Sequence, residues 1–300
     1  MKLDFDCVVI GAGVAGMTSA IYLKRAGINV AIFERSFVGG QINKTYTIKN
    51  YPGFQEIDGP TLALSICNQL KELDIPIIYE SVVDIINEDE YKIVKTTKKD
   101  YLTKAIVIAT GKKERSLGLK GEKELIGHGI SWCATCDGNF FKSKEVAVVG
   151  GGNTAMEDAL YLSNICKKVY IVNRSTNFKA DLILLNQAKT KKNIEFVTDS
   201  VVKTLIKKNN ILHSIILDNG TKLSVSGLFI AIGSDPVVEF LKNLNLSLEN
   251  NYILVNKNME TSIPGIYACG DVIKKELYQI ITAASDGAIA ANSVKNYLNR

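Results

Sequence analysis

The sequence predicts an α/β protein with two Rossmann-like dinucleotide-binding domains, one inserted in the other. Three observations support this fold class. A strand, a glycine-rich turn and a helix follow one another at the N-terminus, the pattern recurs mid-chain, and further apolar segments end in small residues. A chain of 300 residues also exceeds what one core usually holds. We expect residues 1–113 and 239–300 to form one discontinuous domain and residues 114–238 to form the other.

The first repeat begins almost at once. Its strand, helix and second strand are predicted at residues 7–10, 17–25 and 28–33. The motif GAGVAG between the first strand and the helix supplies Gly11, Gly13 and Gly16. Such glycines allow a tight turn and let a pyrophosphate approach the helix N-terminus. Glu34 follows the second strand, where an acidic residue accepts hydrogen bonds from an adenosine ribose.

The second repeat is predicted from residue 145 onwards. A strand at residues 145–150, a helix at 156–163 and a strand at 169–172 surround the turn GGGNTA. The residues of this turn expected to hold a nucleotide are Gly150, Gly152, Asn153, Thr154 and Ala155. Alanine is permitted at the third glycine position. Two such units imply two dinucleotides, the arrangement that passes a hydride between a nicotinamide and a flavin.

The two repeats differ after their second strands. The first ends in Glu34, whereas the second has Asn173 and Arg174 at the corresponding point, with Lys179 nearby. A carboxylate repels a 2′-phosphate and an arginine attracts one. The first unit therefore suits the adenosine of FAD, and the second favours NADPH over NADH, with Arg174 and Lys179 as candidate phosphate ligands.

A Cys-x-x-Cys pair precedes the second repeat. Cys133 and Cys136 stand in SWCATCDG, and Asp137 follows directly as a possible proton donor or acceptor. Zinc normally needs four ligands, but there is no second Cys-x-x-Cys and only two histidines are present, so we expect a redox pair and no metal. The other cysteines are expected to be buried thiols: Cys7, Cys67, Cys166 and Cys269.

Composition limits the classes of partner. The chain is 46% hydrophobic and 22% charged with a net charge of +5, and its lysines are scattered without a nucleic-acid recognition motif. The uncharged segment at residues 7–23 is short for a membrane span, contains spaced glycines and follows Asp4 and Asp6. We expect a cytoplasmic protein that binds neither nucleic acid nor membrane.

These motifs together resemble low-molecular-weight, bacterial-type thioredoxin reductases over nearly the whole chain. The matching segments are GAGVAG, GGQI, NYPGF, IATG, CATCDG, VVGGGNTAMEDALYLS, ACGD and TAASDGAIAA. CATCDG placed just before the GGGNTA strand is the most specific of them. The resemblance implies the fold of pyridine nucleotide-disulfide oxidoreductases, FAD as cofactor, thioredoxin as substrate, a homodimer, and a second domain that rotates during turnover.

The resemblance also implies roles for individual residues. Cys136 would face the flavin, Cys133 would attack the thioredoxin disulfide and Asp137 would serve as the acid. The implied flavin-binding positions are Gly11, Gly13, Gly16, Glu34, Gly40, Gln41, Asn50, Thr110, Gly111, Gly270, Asp271 and Gln279.

The departures from the family pattern concentrate at the second nucleotide site. The usual H-R-R-x-x-x-R reads Asn173-Arg174-Ser175 with Lys179 at the last position, the usual Arg-Gln near the C-terminus reads Tyr278-Gln279, and the Gly-Arg-Gly before the cysteines reads GHG. Lysine does not replace arginine at a bidentate phosphate site. NADPH is thus the expected donor, and reduced ferredoxin is the alternative. Three further alternatives are a non-turnover redox sensor, the flavin component of a peroxide-reducing system, and a ferredoxin reductase, although the last would not need the two cysteines.

Overall fold

The structure is a computed structural model that describes residues 2–45 and 48–299. The chain divides into two compact units. Unit 1 comprises Met1–Lys113 and Asp235–Arg300, and unit 2 comprises Glu114–Ser234. The sequence placed the return to the first domain at Glu239, which lies inside unit 1, in a short 3-10 helix at Glu239–Leu241.

The described strands are, in chain order, β1 (Phe5–Ile10), β2 (Val30–Phe33), β3 (Ile77–Ile78), β4 (Val82–Asn87), β5 (Lys92–Thr96), β6 (Asp100–Ile108), β7 (Lys112–Glu114), β8 (Ile130–Ser131), β9 (Glu145–Val149), β10 (Lys168–Val172), β11 (Ile194–Val197), β12 (Val202–Lys208), β13 (Ile211–Leu217), β14 (Lys222–Leu223), β15 (Gly227–Ile230), β16 (Ser234–Pro236), β17 (Leu248–Glu249), β18 (Tyr252–Ile253) and β19 (Ile266–Ala268). The described α-helices are α1 (Val14–Arg25), α2 (Gly59–Glu72), α3 (Ala134–Asp137), α4 (Asn153–Ser163), α5 (Leu182–Thr190) and α6 (Ile280–Leu298).

Unit 1 is built on a sheet of order β3-β2-β1-β6-β5-β4. β6 is long enough to pair with two strands along the same edge: β5 lies antiparallel to its first half and β19 parallel to its second half. β2, β1, β6 and β19 therefore run parallel, and their carboxyl ends meet at one edge of the sheet. In open α/β sheets this is the edge at which ligands bind.

Both faces of this sheet are covered. In β1, Cys7 and Val9 point into a core shared with α1, α2 and α6, whereas Val8 and Ile10 point into a core on the opposite face. This alternation with a period of two is what a strand buried on both sides requires. α1 and α6 approach closely, since a Cβ on Gly287 would lie 2.2 Å from the carbonyl oxygen of Ala15.

Unit 2 repeats the plan on a smaller scale. Its sheet has the order β11-β10-β9-β15-β8, with all neighbours parallel. α4 and α5 pack on one face through Met156 and Leu185, and the antiparallel sheet β12-β13-β14 packs on the other through Ile215.

The predicted repeats are present, with small shifts in their bounds. α1 begins at Val14 and α4 at Asn153, each three residues before the apolar pattern that predicted it, because the residues of the glycine turn form the first turn of the helix. Among the described residues, no helix is long and apolar enough to cross a membrane.

Candidate functional site

The first glycine turn is shaped by close backbone contacts. Gly11 has a φ of +106°, and a Cβ there would lie 2.4 Å from the carbonyl oxygen of Ala109. A Cβ on Gly16 would lie 2.0 Å from the carbonyl oxygen of Gly11, whereas one on Gly13 would meet nothing within 4 Å. Two glycines therefore let the chain close on itself, and the third leaves open space where a ligand approaches. Among the described residues, no side chain caps the N-terminus of α1, so its free N–H groups suit a pyrophosphate.

Glu34 is fixed at the end of β2. Its Oε2 accepts a hydrogen bond from the backbone N–H of Ala12 at 2.9 Å, and its Oε1 accepts one from the N–H of Ser36 at 2.8 Å. Each carboxylate oxygen can accept a further hydrogen bond. The side chain is thus held beside the glycine turn with capacity for the hydroxyl groups of a ribose, as an FAD adenosine requires.

The other predicted flavin residues form pairs near the same edge of the sheet. Gln41 Nε2 donates to the carbonyl oxygen of Lys112 at 2.9 Å, and Asn50 Nδ2 donates to Gln279 Oε1 at 3.0 Å. Thr110 Oγ1 donates to the carbonyl oxygen of Val237 at 2.7 Å. The remaining members are Gly40, which lies beside Gly13, Gly111, which accepts from the N–H of Val237, and Gly270 and Asp271, which follow β19.

A buried ion pair, which the sequence motifs did not predict, supports the turn after β19. Lys275 Nζ lies 2.7 Å from Asp286 Oδ2 and 3.7 Å from Asp271 Oδ1. Asp286 Oδ2 also accepts a hydrogen bond from the N–H of Gly270 at 3.3 Å. Both Lys275 and Asp286 side chains are only 12% exposed. The pair therefore ties the Gly270–Asp271 turn to α6, and Lys275 shares its charge between the carboxylates of Asp286 and Asp271.

The second glycine turn has the same construction. Gly150 has a φ of +149°, and a Cβ there would lie 2.2 Å from the carbonyl oxygen of Ala231, while a Cβ on Gly152 would meet nothing within 4 Å. Ala155 is buried and fits where the first repeat has Gly16. α4 begins at Asn153, which Thr154 follows; its first turn contains no acidic residue, and no side chain in the described part of the chain caps it. This turn also suits a pyrophosphate.

The predicted 2′-phosphate residues lie after β10. Asn173 is buried, and its Nδ2 donates to the carbonyl oxygens of Ser175 at 2.7 Å and Asn177 at 3.3 Å. Arg174 and Lys179 are exposed, and the N–H of Lys179 donates to the carbonyl oxygen of Gly151 at 2.7 Å. The loop is therefore fastened to the glycine turn by its backbone, and its two cationic side chains extend into solvent.

A second contact fastens this loop. Asn153 Nδ2 donates to Asp181 Oδ2 at 2.9 Å, and Asn153 Oδ1 accepts from the N–H of Asp181 at 2.7 Å. Asp181 thus places a carboxylate at the start of α4, where the amide of Asn153 donates a hydrogen bond to it. The sequence motifs did not predict the contact between Asn153 and Asp181, because the two residues belong to different segments of the chain.

Cys133 and Cys136 form a disulfide, with an S–S distance of 2.04 Å and a Cα–Cα distance of 5.3 Å. Cys136 is exposed and Cys133 is half-buried. Ala134 between them is fully buried in the core formed with α4, which anchors the segment. The N–H of Cys136 donates to Cys133 Sγ at 3.2 Å, an interaction that also stabilises a thiolate on Cys133.

Asp137 is positioned by Ser131, a residue that the motif reading did not single out. Ser131 Oγ donates to Asp137 Oδ2 at 2.6 Å and accepts from the N–H of Cys133 at 3.0 Å. The hydroxyl therefore links the carboxylate to the backbone of the first cysteine. The sequence feature that could have indicated this role is the position of Ser131 at the start of SWCATCDG.

The remaining cysteines are buried free thiols, as predicted. Burial raises the pKa of Cys7 and Cys269 far above the ordinary range of a thiol, and raises the pKa of Cys166 to about 11. These three thiols stay protonated and unreactive at neutral pH. Within residues 2–45 and 48–299, no group of histidine, cysteine and carboxylate side chains could hold a metal ion.

Comparison with known proteins agrees with this geometry. The family described as pyridine nucleotide-disulphide oxidoreductase matches residues 5–287, so the chain belongs to this class. Thioredoxin reductase of Bacillus subtilis is 40% identical over 299 residues, covering 98% of this chain and 95% of the relative. Thioredoxin reductase of Ureaplasma parvum is 39% identical and covers 99% and 97%. Within the class, the chain belongs to the thioredoxin reductases.

Solved structures give the same result. The crystal structure of Lactococcus lactis thioredoxin reductase is 38% identical and superposes with a TM-score of 0.89, covering 99% of both chains. A ferredoxin-flavin thioredoxin reductase from Clostridium acetobutylicum is also similar, at 31% identity and a TM-score of 0.55, with 99% of both chains covered.

Proposed function

We propose that the chain is an FAD-dependent thioredoxin-disulfide reductase that passes electrons from NADPH through FAD to the Cys133–Cys136 disulfide and on to thioredoxin. The observation that carries the proposal is this disulfide, with Ser131 and Asp137 beside it, in a chain with two glycine turns of dinucleotide-binding geometry. Unit 1 would hold FAD, and unit 2 would hold the pyridine nucleotide and carry the dithiol. FAD, when bound, accepts a hydride from the pyridine nucleotide and supplies two electrons to the disulfide.

The protein's own residues then exchange disulfides with the substrate. Reduction adds two electrons and two protons to the disulfide and leaves two thiols. Cys133 passes its proton to Asp137 and attacks, as a thiolate, one sulfur of the thioredoxin disulfide. Asp137 then gives this proton to the sulfur that leaves. Cys136 next attacks Cys133 Sγ, which releases the second substrate thiol and re-forms the Cys133–Cys136 disulfide. The two protons of the enzyme thiols end on the two thiols of reduced thioredoxin.

The thiol roles can be tested with three variants. Cys133→Ser and Cys136→Ser should each abolish the reduction of thioredoxin by NADPH, while the flavin absorbance per protein stays unchanged. Cys67→Ala is the matched control, since Cys67 is a buried free thiol and should leave the rate unchanged. A Cys133→Ser, Cys136→Ser double variant that reduces thioredoxin at the wild-type rate would contradict the assignment.

NADPH as the donor rests on the loop after β10. At the point where Glu34 stands in unit 1, unit 2 has buried Asn173 and exposed Arg174, and exposed Lys179 lies on the same loop. An uncharged amide together with two cations favours a 2′-phosphate over a 2′-hydroxyl. Under anaerobic conditions, micromolar NADPH should bleach the flavin absorbance band faster than NADH does.

Reduced ferredoxin is the second candidate donor. Two positions of the usual arginine pattern are Ser175 and Lys179 here, and each lost charge-assisted contact costs about 1.5–3 kcal/mol. In the same anaerobic experiment, a flavin that NADPH leaves oxidised and reduced ferredoxin bleaches would support this candidate and reject NADPH.

The similarity to thioredoxin reductases also supports an oligomeric state and a location. The protein would act as a homodimer in the cytoplasm. Light scattering of the purified chain measures the mass directly, and a monomer at micromolar concentration would contradict the dimer.

A further inference from the structure

A lysine in unit 1 lies on the faces of two tyrosine rings. Lys112 Nζ lies 3.2 Å from the ring centroid of Tyr278 and 5.1 Å from that of Tyr252. The two rings are 5.8 Å apart and tilted by 44°. Tyr278 is itself fixed, because its hydroxyl donates to the carbonyl oxygen of Ile273 at 3.3 Å. The cation is therefore held by aromatic faces that come from β18 and from the segment before α6.

In the part of the chain that the structure describes, Lys112 has no anionic partner. Among the residues that the structure describes, no carboxylate lies within ion-pair distance of Lys112 Nζ. Tyr278 does not supply a negative charge either, since burial and the neighbouring Tyr252 raise its pKa. Lys112 is half-buried, so its charge is only partly screened by water. Lys275 Nζ also lies 5.6 Å from the ring centroid of Tyr278, but Lys275 is paired with Asp286 and Asp271. Lys112 is therefore the cation of this cluster that has no carboxylate partner among the described residues.

The order of the strands locates this cluster relative to a bound dinucleotide. Glu34 follows β2, the glycine turn follows the neighbouring β1, and β6 lies on the other side of β1. An extended dinucleotide with its adenosine at Glu34 and its pyrophosphate at the N-terminus of α1 must place its remaining half beyond β1, at the ends of β6 and β19. Lys112 follows β6 there.

Two hydrogen bonds of predicted flavin residues also lead to this cluster. Gln41 donates to the carbonyl oxygen of Lys112 itself. Gln279, which accepts from Asn50, directly follows Tyr278. Both the backbone of Lys112 and the ring that supports its side chain are therefore joined to the residues expected to surround the flavin.

We propose that Lys112, seated on Tyr278 and Tyr252, is a positioning cation that stabilises the negative charge of the reduced flavin ring and so sets its reduction potential. The inference rests on the proposed function, because it requires bound FAD. Two-electron reduction with uptake of one proton leaves one negative charge on the ring, and a cation nearby favours that form over the neutral oxidised form. The tyrosine faces hold the ammonium group in place without neutralising it.

The test is the midpoint potential of the flavin in the purified holoenzyme, measured by equilibration with a reference dye. Lys112→Met should lower the potential, so that the ratio of reduced to oxidised flavin at a fixed solution potential falls roughly tenfold. Lys112→Arg should restore a potential close to that of the wild type. Lys113→Met is the matched control, because this exposed neighbour carries the same charge but points the other way along β7.

A second pair of variants retains Lys112 and changes Tyr278, the ring that holds the lysine in place. Tyr278→Phe retains the ring face and loses only the hydrogen bond to Ile273, so it should change the potential much less than Tyr278→Ala, which frees the lysine and should lower the potential. This pair also decides the question if Lys112→Met fails to retain FAD. Equal potentials for Lys112→Met and the wild type, or for Tyr278→Phe and Tyr278→Ala, would overturn the inference while leaving the proposed function intact. A wild-type protein that takes up no flavin would refute both.

Discussion

Replacing Ser131 with alanine tests how the acid of the dithiol site is held. The hydroxyl of Ser131 donates to Asp137 Oδ2 at 2.6 Å, and the Ser131 residue is 7% exposed. A hydrogen bond to a charged group contributes about 1.5–3 kcal/mol. If this contact is needed to orient Asp137 when the substrate thiolate leaves, Ser131→Ala should slow thioredoxin reduction by about tenfold to a hundredfold.

The assay separates the two half-reactions. Reduction of the flavin by NADPH should proceed at the wild-type rate in Ser131→Ala, because the hydrogen bonds of the Ser131 hydroxyl go to the dithiol segment, to Cys133 and Asp137. Oxidation of the reduced enzyme by thioredoxin, followed by stopped flow, should show the loss. Ser200→Ala is the matched control, since Ser200 is another buried serine of unit 2 and its hydroxyl donates to the carbonyl oxygen of Thr198.

A double-mutant cycle decides whether the effect acts through the carboxylate. Asp137→Asn should cost about 10²–10⁴ in the same step, as expected for loss of an acid. Adding Ser131→Ala to Asp137→Asn should then cost only a few-fold, because a neutral amide accepts a weaker hydrogen bond. If the two effects multiply independently, Ser131 does not act through Asp137 and the argument from the 2.6 Å contact is refuted.

Three further predictions follow from other contacts. Arg174→Met should raise the KM for NADPH about tenfold to a hundredfold and leave the KM for NADH unchanged, and an equal change for both would exclude a phosphate contact. Asp286→Ala or Lys275→Met alone should lower the free energy of unfolding of the apoprotein by about 3–5 kcal/mol in a denaturant titration, whereas Lys275→Met with Asp286→Leu should cost far less than the sum, since a buried pair is lost together. Burial raises the pKa of Asp158 to about 7, with a smaller contribution from Glu157. The folded state therefore holds a proton that the unfolded state loses near pH 4, and the contribution of Asp158 to stability falls as the pH rises towards 7. The free energy of unfolding of Asp158→Asn, relative to that of the wild type, should rise by about 2–4 kcal/mol between pH 4 and pH 8. A difference that does not change with pH would contradict this pKa.

The fold could be read from the sequence wherever it depends on local pattern. A Cβ on Gly11 or Gly150 would collide with the backbone of a neighbouring segment, and a Cβ on Gly16 would collide with the carbonyl oxygen of Gly11 in the same turn. Only glycine fits at these positions, so the motif is visible in the sequence. The apolar runs before the glycines match strands buried on both faces, since β1 and β9 point alternate residues into two cores. The sequence did not predict the first residues of α1 and α4, because glycine and asparagine have low helix propensity and occur there inside a glycine-rich turn.

The sequence by itself determined the two dinucleotide-binding repeats, the Cys-x-x-Cys pair and the buried state of the other cysteines, because each depends on residues close together in the chain or on simple apolarity. Only the tertiary structure decided which polar side chains meet. Lys112 contacts Tyr278, and Asn50 contacts Gln279, although these partners are far apart in sequence. They meet because the end of β6 and the start of α6 lie at the same edge of the sheet. No spacing rule along the chain encodes such contacts, since they arise from strand order and from the way helices pack across it.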